Sequence, residues 1–229
     1  MTLLTSMAFG LSLGMEHALD ADHVVAISTI VSESRSLFRS LLIGIVWGIG
    51  HTATLLVVGL FLLFFRITPP PWVAFSAEFL VGIVLILLGV QILWKYNKKR
   101  THVHFHHHGD EMHIHFHSHE ATDAHAHEHH EPHMRKPLFV GLAHGVAGSG
   151  ALMLVVLSKI QSALMGAFYI LAFGLGSILG MLAISVFIGL PFLLTVGRFQ
   201  RFHAGARLVA GLLSIVLGFS ISFETLWLW

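Results

Sequence analysis

The sequence predicts an all-α membrane protein with six transmembrane helices, and three observations lead to this fold class. Of the 229 residues, 55% are hydrophobic and only 11% are charged, and the mean hydropathy is +0.79, values unlike those of a soluble globular domain. Uninterrupted apolar runs, such as the one from Leu55 to Phe65, lack the alternation of a barrel strand. Because only helices and closed barrels satisfy every backbone polar group in lipid, these runs indicate helices.

Six apolar stretches are long enough to cross a hydrocarbon core of about 30 Å. They lie at about residues 3–31, 41–65, 73–94, 138–158, 163–194 and 205–229. A long polar segment separates the third from the fourth. The chain is therefore expected to consist of a three-helix unit at 1–94, a loop at 95–137 and a second three-helix unit at 138–229.

The basic residues predict how the chain is oriented in the membrane. Eleven of the 13 Lys and Arg residues fall in the first, third and fifth loops, against only Arg66 and Lys159 in the second and fourth. Loops rich in Lys and Arg stay on the cytoplasmic side. We therefore expect a multi-pass protein of the cell membrane with both termini outside and the long third loop in the cytoplasm. Because the formal net charge is only +1 and the basic residues are scattered, a nucleic-acid partner is not expected.

The two three-helix units share a weak sequence similarity. Gly14-Met15-Glu16-His17 matches Gly141-Leu142-Ala143-His144, a spacing of about 127 residues that recurs further along the chain. Units of three helices enter the membrane from opposite sides, so the similarity predicts a 3+3 inverted repeat with the substrate where the repeats meet. Chance alignment of small residues is the alternative. The recurring pairs are Gly48 with Gly174, Gly50 with Gly176, Gly82 with Gly211 and Gly89 with Gly218.

The first span carries an unusual concentration of ionisable groups. Between Gly14 and His23 it contains three carboxylates and two imidazoles. Each such group at membrane depth costs roughly 2.5–3.5 kcal/mol on insertion scales, so they need compensation from a cation, a proton pathway or each other. In a regular helix His17 and Asp22 point away from one another. Either the helix is unwound near Asp20, eased by the preceding Gly10 and Gly14, or only some of these groups bind an ion.

Two further intramembrane histidines, each beside glycines, join this set. A single histidine in a membrane span is as often a packing residue as a ligand. The chain has no cysteine, so any metal must be held by nitrogen and oxygen. Imidazoles mixed with carboxylates favour a divalent transition metal over Mg²⁺ or Ca²⁺. The candidate ligands are His17, Asp20, Asp22, His23, His51 and His144.

These motifs resemble those of the nickel/cobalt transporter family. His17, Asp22 and His23 match its His-x4-Asp-His signature, and Gly50-His51-Thr52 resembles its Gly-His-Ser/Thr motif. The resemblance implies that His17, Asp22, His23 and His51 are the functional residues and that Ni²⁺ or Co²⁺ is the substrate rather than a cofactor. The second half lacks the Asp-Thr-Ala-Thr-Glu-like block of the larger eight-helix members. It looks like the shorter branch of urease-associated nickel permeases, for which a cytoplasmic metallochaperone would be the protein partner.

The third loop is rich in histidine. Between His102 and His133 it holds 14 of the 19 histidines, interleaved with acidic residues. Few apolar side chains offset the entropy of ordering it, so we expect a flexible segment. Tracts of this composition bind metal through interchangeable ligands, which suits buffering or sensing.

Four functions follow as hypotheses: a secondary carrier taking up Ni²⁺ for metalloenzyme assembly, an efflux carrier, a membrane metal sensor, and an intramembrane serine protease. Intramembrane Asp20 and Asp22 argue against a sensor whose helices are only an anchor. The protease hypothesis depends on Ser149, for which the sixth span offers no histidine as base. An enzyme is therefore not expected. The five tryptophans, Trp47 and Trp72 among them, are mostly spaced like an interfacial belt.

Overall fold

Helices make up most of the described chain. In a computed structural model, the described residues are 2–34, 36–67, 70–98, 104–108, 111–115, 134–145, 162–195 and 200–227. In chain order they form helices α1 (Leu3–His17), α2 (Ala21–Val31), α3 (Leu37–Phe65) and α4 (Pro71–Lys98), strands β1 (His104–His108) and β2 (Glu111–His115), and helices α5 (Arg135–His144), α6 (Ala163–Thr195) and α7 (Gln200–Trp227).

Four of the described helices, α3, α4, α6 and α7, are long and apolar enough to cross a membrane. They coincide with four of the six predicted spans, which makes this a multi-pass helical membrane protein. The first predicted span is divided between α1 and α2. The fourth is described only through α5 and Gly145, and the rest of it lies outside the described residues.

The first span is broken between His17 and Ala21, as the first of the two alternatives from the sequence predicts. Asp20 has an extended conformation, with φ −57° and ψ 144°, and α2 begins at the next residue. Aspartate is a poor helix-interior residue, which suits this break; its side chain does not cap α2 but contacts Nδ1 of His17. The break does not occur at Gly10 or Gly14, since both lie within α1. Instead, the lack of a side chain at each lets α1 approach the backbone of α6 closely.

The close contacts between helices fall into matched pairs. A Cβ added to Gly82 of α4 would meet the carbonyl oxygen of Gly218 on α7, and one added to Gly89 would meet that of Gly211. The predicted repeat relates Gly82 to Gly211 and Gly218 to Gly89. Replacing both residues of the first contact by these counterparts therefore gives the second contact. Three other pairs of contacts are related in the same way: Gly50 to Leu138 with Gly176 to Leu11, Gly141 to Trp47 with Gly14 to Phe173, and Gly48 to Ile178 with Gly174 to Thr52.

These contacts group the helices into two bodies. Helix α6 packs extensively against both α1 and α3, α3 packs in turn against α5, and α4 packs against α7. Within the larger body, the hydroxyl of Thr52 donates to the carbonyl of Gly174 at 3.0 Å and that of Thr54 to the carbonyl of Leu142 at 3.1 Å. Helix α2 lies between the bodies and contacts both α6 and the α4–α7 pair.

Part of the third loop forms a hairpin. Strands β1 and β2 pair antiparallel, with His104 opposite His115 and His108 opposite Glu111. The segment that the sequence predicts to be flexible therefore contains two paired strands. Polar and apolar residues alternate in β2, as in His113-Ile114-His115, and the sequence between the strands, Gly109-Asp110, is a pair typical of two-residue hairpin connections. The rest of the histidine-rich stretch lies outside the described residues.

Candidate metal centre

The six predicted ligands lie together in the structure, at the ends of three helices and midway along a fourth. His17 is the last residue of α1, Asp20 precedes α2, and Asp22 and His23 lie in the first turn of α2. His51 lies midway along α3, and His144 is the last residue of α5. Breaking the first span at Ala18 therefore lets its histidines and aspartates face the same space, which a continuous helix would not allow.

The imidazole rings form a compact group. The ring centroid of His23 lies 4.5 Å from that of His17, 5.0 Å from that of His51 and 5.5 Å from that of His144. Nε2 of His17 is 3.1 Å from Nε2 of His51. All four side chains are buried, with exposed fractions of 7% or less. His144 thus joins the cluster through His23.

The ligand atoms form two overlapping groups. In the first, one nitrogen from each of His17, His23 and His51 lies within 4.8 Å of the others. In the second, the same holds for one atom each of Asp20, Asp22 and His23. The first group is buried and nitrogen-only, whereas the second includes exposed Asp20 and is mainly carboxylate. Because His23 belongs to both, the two groups form a continuous set of donors.

Hydrogen bonds determine which ring nitrogen of His23, and which of His144, keeps a free lone pair. Nδ1 of His23 donates to the carbonyl of His17 at 3.2 Å, and Nδ1 of His144 donates to that of Val140 at 3.0 Å. A ring that donates from Nδ1 keeps a lone pair on Nε2. The Nε2 atoms of His23 and His144 are buried and have no hydrogen-bond partner among the described residues, and leaving such atoms unpaired is costly. The arrangement therefore presents unpartnered nitrogen donors to a ligand.

A carboxylate orients the third ring. Nδ1 of His17 lies 2.7 Å from Oδ2 of Asp20, whose side chain is 53% exposed. This contact turns Nε2 of His17 toward His51. Carboxylate–imidazole pairs of this kind hold metal-binding histidines in one orientation and tautomer.

Two aromatic residues that the sequence analysis did not assign to the site enclose the rings. Phe173 of α6 stacks on His17, with centroids 5.6 Å apart and an interplanar angle of 25°. The ring centroid of Trp47 lies 5.4 Å from that of His144 and 5.9 Å from that of His23. The interfacial-belt interpretation is wrong for Trp47, which is fully buried, whereas Trp72 is 58% exposed as expected. The spacing of about 127 residues relates Trp47 to Phe173 and could have indicated both.

Comparisons with known proteins place the chain in a family. Residues 51–220 match the family model described as the transmembrane region of cytochrome C biogenesis proteins. A curated relative, the urease accessory protein UreH of Bacillus sp. (strain TB-90), is 39% identical over 216 residues, which cover 94% of this chain and 90% of the relative. No solved structure matches the chain. The chain therefore belongs to the transmembrane family that this model describes and, as its motifs predicted, to the urease-associated branch of the nickel/cobalt transporters.

Proposed function

We propose that the protein is a secondary carrier that takes up Ni²⁺ through the cell membrane for the assembly of a nickel enzyme. The observation that carries this proposal is the group of buried imidazoles at the break of the first span, with unpartnered Nε2 atoms on His23 and His144. Neutral imidazole suits Ni²⁺, Co²⁺, Cu²⁺ and Zn²⁺. The name of the relative, a urease accessory protein, favours nickel as the cargo and uptake as the direction.

In this proposal His17, His23 and His51, together with ionised Asp22, bind the ion directly. Asp20 orients His17 through their hydrogen bond, and His144 completes the set from the second unit. Co²⁺ has the same ligand preferences and is the second cargo that we expect.

An inverted repeat of two three-helix units, 1–94 and 138–229, would provide the alternating access that such a carrier needs. The matched pairs of interhelix contacts support this architecture, since residues of one unit and their counterparts in the other make equivalent approaches. The repeat also explains why α1 and α5 both end at a histidine of the site. Six spans with both termini outside and the 95–137 loop in the cytoplasm complete the proposed topology.

Uptake of radioactive nickel by cells that express Asp22→Asn or His51→Ala tests the proposal. Both variants are expected to lose at least about nine tenths of the uptake, because each removes a donor that no neighbour replaces. Ser177→Ala is the matched control: Ser177 lies at the position that the proposed repeat relates to His51, is equally buried, and among the described residues its hydroxyl bonds only to the carbonyl of Phe173. Uptake near the wild-type level in both site variants would overturn the proposal.

Competition with unlabelled ions tests the choice of cargo. Excess Co²⁺ is expected to reduce nickel uptake more strongly than excess Zn²⁺ or Mg²⁺. Measuring retention of preloaded nickel in the same cells separates the directions, since an efflux carrier would lower retention and an uptake carrier would not.

A further inference from the structure

A network of charged side chains lies away from the metal centre, where α2 ends. Glu33 lies two residues beyond the end of α2, and its backbone N–H donates to the carbonyl of Ile30, so the residue continues the last turn. Nζ of Lys95 on α4 lies 2.8 and 3.0 Å from the two carboxylate oxygens of Glu33, and a guanidinium nitrogen of Arg207 on α7 lies 3.4 Å from one of them. One carboxylate thus ties the end of α2 to both members of the α4–α7 pair.

At the same end, helix α4 is also bonded to α5, a second helix that carries a histidine of the metal centre. Nζ of Lys136, in the first turn of α5, donates to Oε1 of Gln91 at 2.6 Å. Gln91 and Lys95 are one helical turn apart and therefore lie on the same face of α4. Helices α2 and α5 carry His23 and His144 into the site, so one face of α4 is fastened to the far ends of both.

Helices α4 and α7 pack closely against each other. Their backbones approach closely at Gly82 and Gly89, and the buried hydroxyl of Ser214 donates to the carbonyl of Leu85 at 2.7 Å. Contacts from this pair to the larger body are few in comparison. In a bundle of membrane helices, a pair of helices that pack tightly on each other and make few contacts with the other helices is the kind of element that moves as a rigid body.

The two ends of this pair carry opposite charge. Counterparts of Lys95 and Arg207 at the repeat spacing are Glu224 and Glu78, and Glu78 is close enough to Asp22 and Glu224 for their charges to act on it. The pair is therefore held to α2 by ion pairs at the Glu33 end, whereas near Asp22 the pair and α2 carry like charges. A cation held by Asp22 would cancel part of the repulsion, and so would favour approach at that end and release at the other.

We propose that Glu33, Lys95 and Arg207 form a latch that closes one end of the carrier, and that the α4–α7 pair is the arm that it releases during transport. The latch is closed in the structure described here. This inference rests on the proposed function, since an arm of this kind serves alternating access, and the proposed orientation places the latch at the cytoplasmic face.

The absence of cysteine from the chain allows a direct test. Ala26 of α2 is fully buried in the same apolar cluster as Val81 and Leu85 of α4, so Ala26→Cys would supply the single thiol of the protein beneath the latch. Labelling of this thiol by a membrane-impermeant methanethiosulfonate is followed in inside-out and right-side-out vesicles. Glu33→Gln and, separately, Lys95→Gln are expected to raise the labelling rate from the Glu33 side by about threefold or more.

Arg135→Gln is the matched control. It removes a charge at the same end, on an exposed residue next to Lys136 for which the structure gives no ion pair among the described residues. Its labelling rate is expected to equal that of the Ala26→Cys parent. Binding of Ni²⁺ to each purified variant, measured by calorimetry, is expected to be unchanged within about twofold and shows that the protein is folded.

The outcomes separate this inference from the proposed function. Unchanged labelling in both Glu33→Gln and Lys95→Gln, with nickel binding intact, overturns the latch even when the Ala26→Cys parent takes up nickel. Faster labelling in both variants supports the latch. Absence of nickel uptake by the cysteine-free protein overturns the proposed function, and with it the role of the latch in transport, whatever the labelling rates.

Discussion

Nε2 of His17 and Nε2 of His51 lie 3.1 Å apart, although the two residues belong to different helices and are separated by 34 positions in the chain. At this distance one nitrogen donates to the other, so a single proton occupies the space between them. Both residues belong to the buried three-histidine group. The contact therefore marks the point at which the broken first span meets α3, and the orientation of His17 determines whether the group is complete.

Asp20 is expected to control that orientation. Asp20→Ala removes the 2.7 Å contact with Nδ1 of His17, and we expect the affinity for Ni²⁺ to fall about tenfold because the ring is no longer held in place. Calorimetry on the purified protein measures the change. Glu16→Gln is the control, since Glu16 is an exposed carboxylate on the same helix end. Equal affinities of Asp20→Ala and the control would show that His17 needs no orienting group.

Close packing of α1 on α6 gives a second prediction. A Cβ at Gly14 would meet the carbonyl oxygen of Phe173 and lie 2.9 Å from the backbone nitrogen of Ser177. Because backbone atoms cannot move aside as a side-chain tip can, Gly14→Ala is expected to cost about 1–3 kcal/mol and to lower the thermal midpoint. In contrast, Gly205→Ala adds a methyl group with nothing within 4 Å. It is expected to leave the midpoint unchanged or raise it slightly.

Thermal stability is measured by size exclusion of detergent extracts after heating. A Gly14→Ala midpoint equal to that of Gly205→Ala would mean that α1 and α6 are not held as closely as the structure shows. Nickel binding by the surviving fraction shows whether the displacement of α1 reaches His17.

The sequence predicted the elements of the site whose signal is local. Ionisable residues in an apolar span identify His17 and His23 without any structure, since lipid tolerates them only with a partner. The opposed directions of His17 and Asp22 in a regular helix likewise made a break near Asp20 one of two alternatives. Trp47 and Phe173 were missed because an aromatic residue in an apolar helix has the same local pattern whether it faces lipid or a neighbouring ring. Only the helix packing distinguishes the two, and only repeat spacing gives a hint of it in sequence.

The latch is expected to be insensitive to pH in the neutral range. Burial by itself would raise the pKa of Glu33, but the hydrogen bond from Lys95 and the charges of Lys136, Lys95 and Arg207 outweigh it and hold that pKa below its ordinary value of 4.5. A lowered pKa means that the stabilising contribution is complete above the ordinary value and is lost only as the pH falls through the lowered one. Between about pH 6 and 8, the carboxylate therefore stays charged.

The ratio of the Ala26→Cys labelling rate in Glu33→Gln to that in its parent measures this, because the reagent's own pH dependence cancels. We expect the same ratio at pH 6, 7 and 8. A ratio that decreases toward one as the pH is lowered across this range would show that Glu33 becomes protonated there, and that its ion pairs are weaker than the 2.8 Å contact with Lys95 indicates.

Deleting residues 102–133 separates the histidine-rich loop from the carrier. The six proposed ligands lie outside this segment, and the contacts among them are made by α1, α2, α3 and α5, so the initial rate of nickel uptake is expected to stay within about twofold of wild type. What should change is the amount of nickel held by membranes after uptake, because 14 of the 19 histidines are removed. A control that replaces the histidines of this segment with asparagine keeps its length. Loss of uptake in both proteins would assign the loop to the transport path itself; loss in the deletion alone would mean that its length, and not its metal binding, is what the helices require.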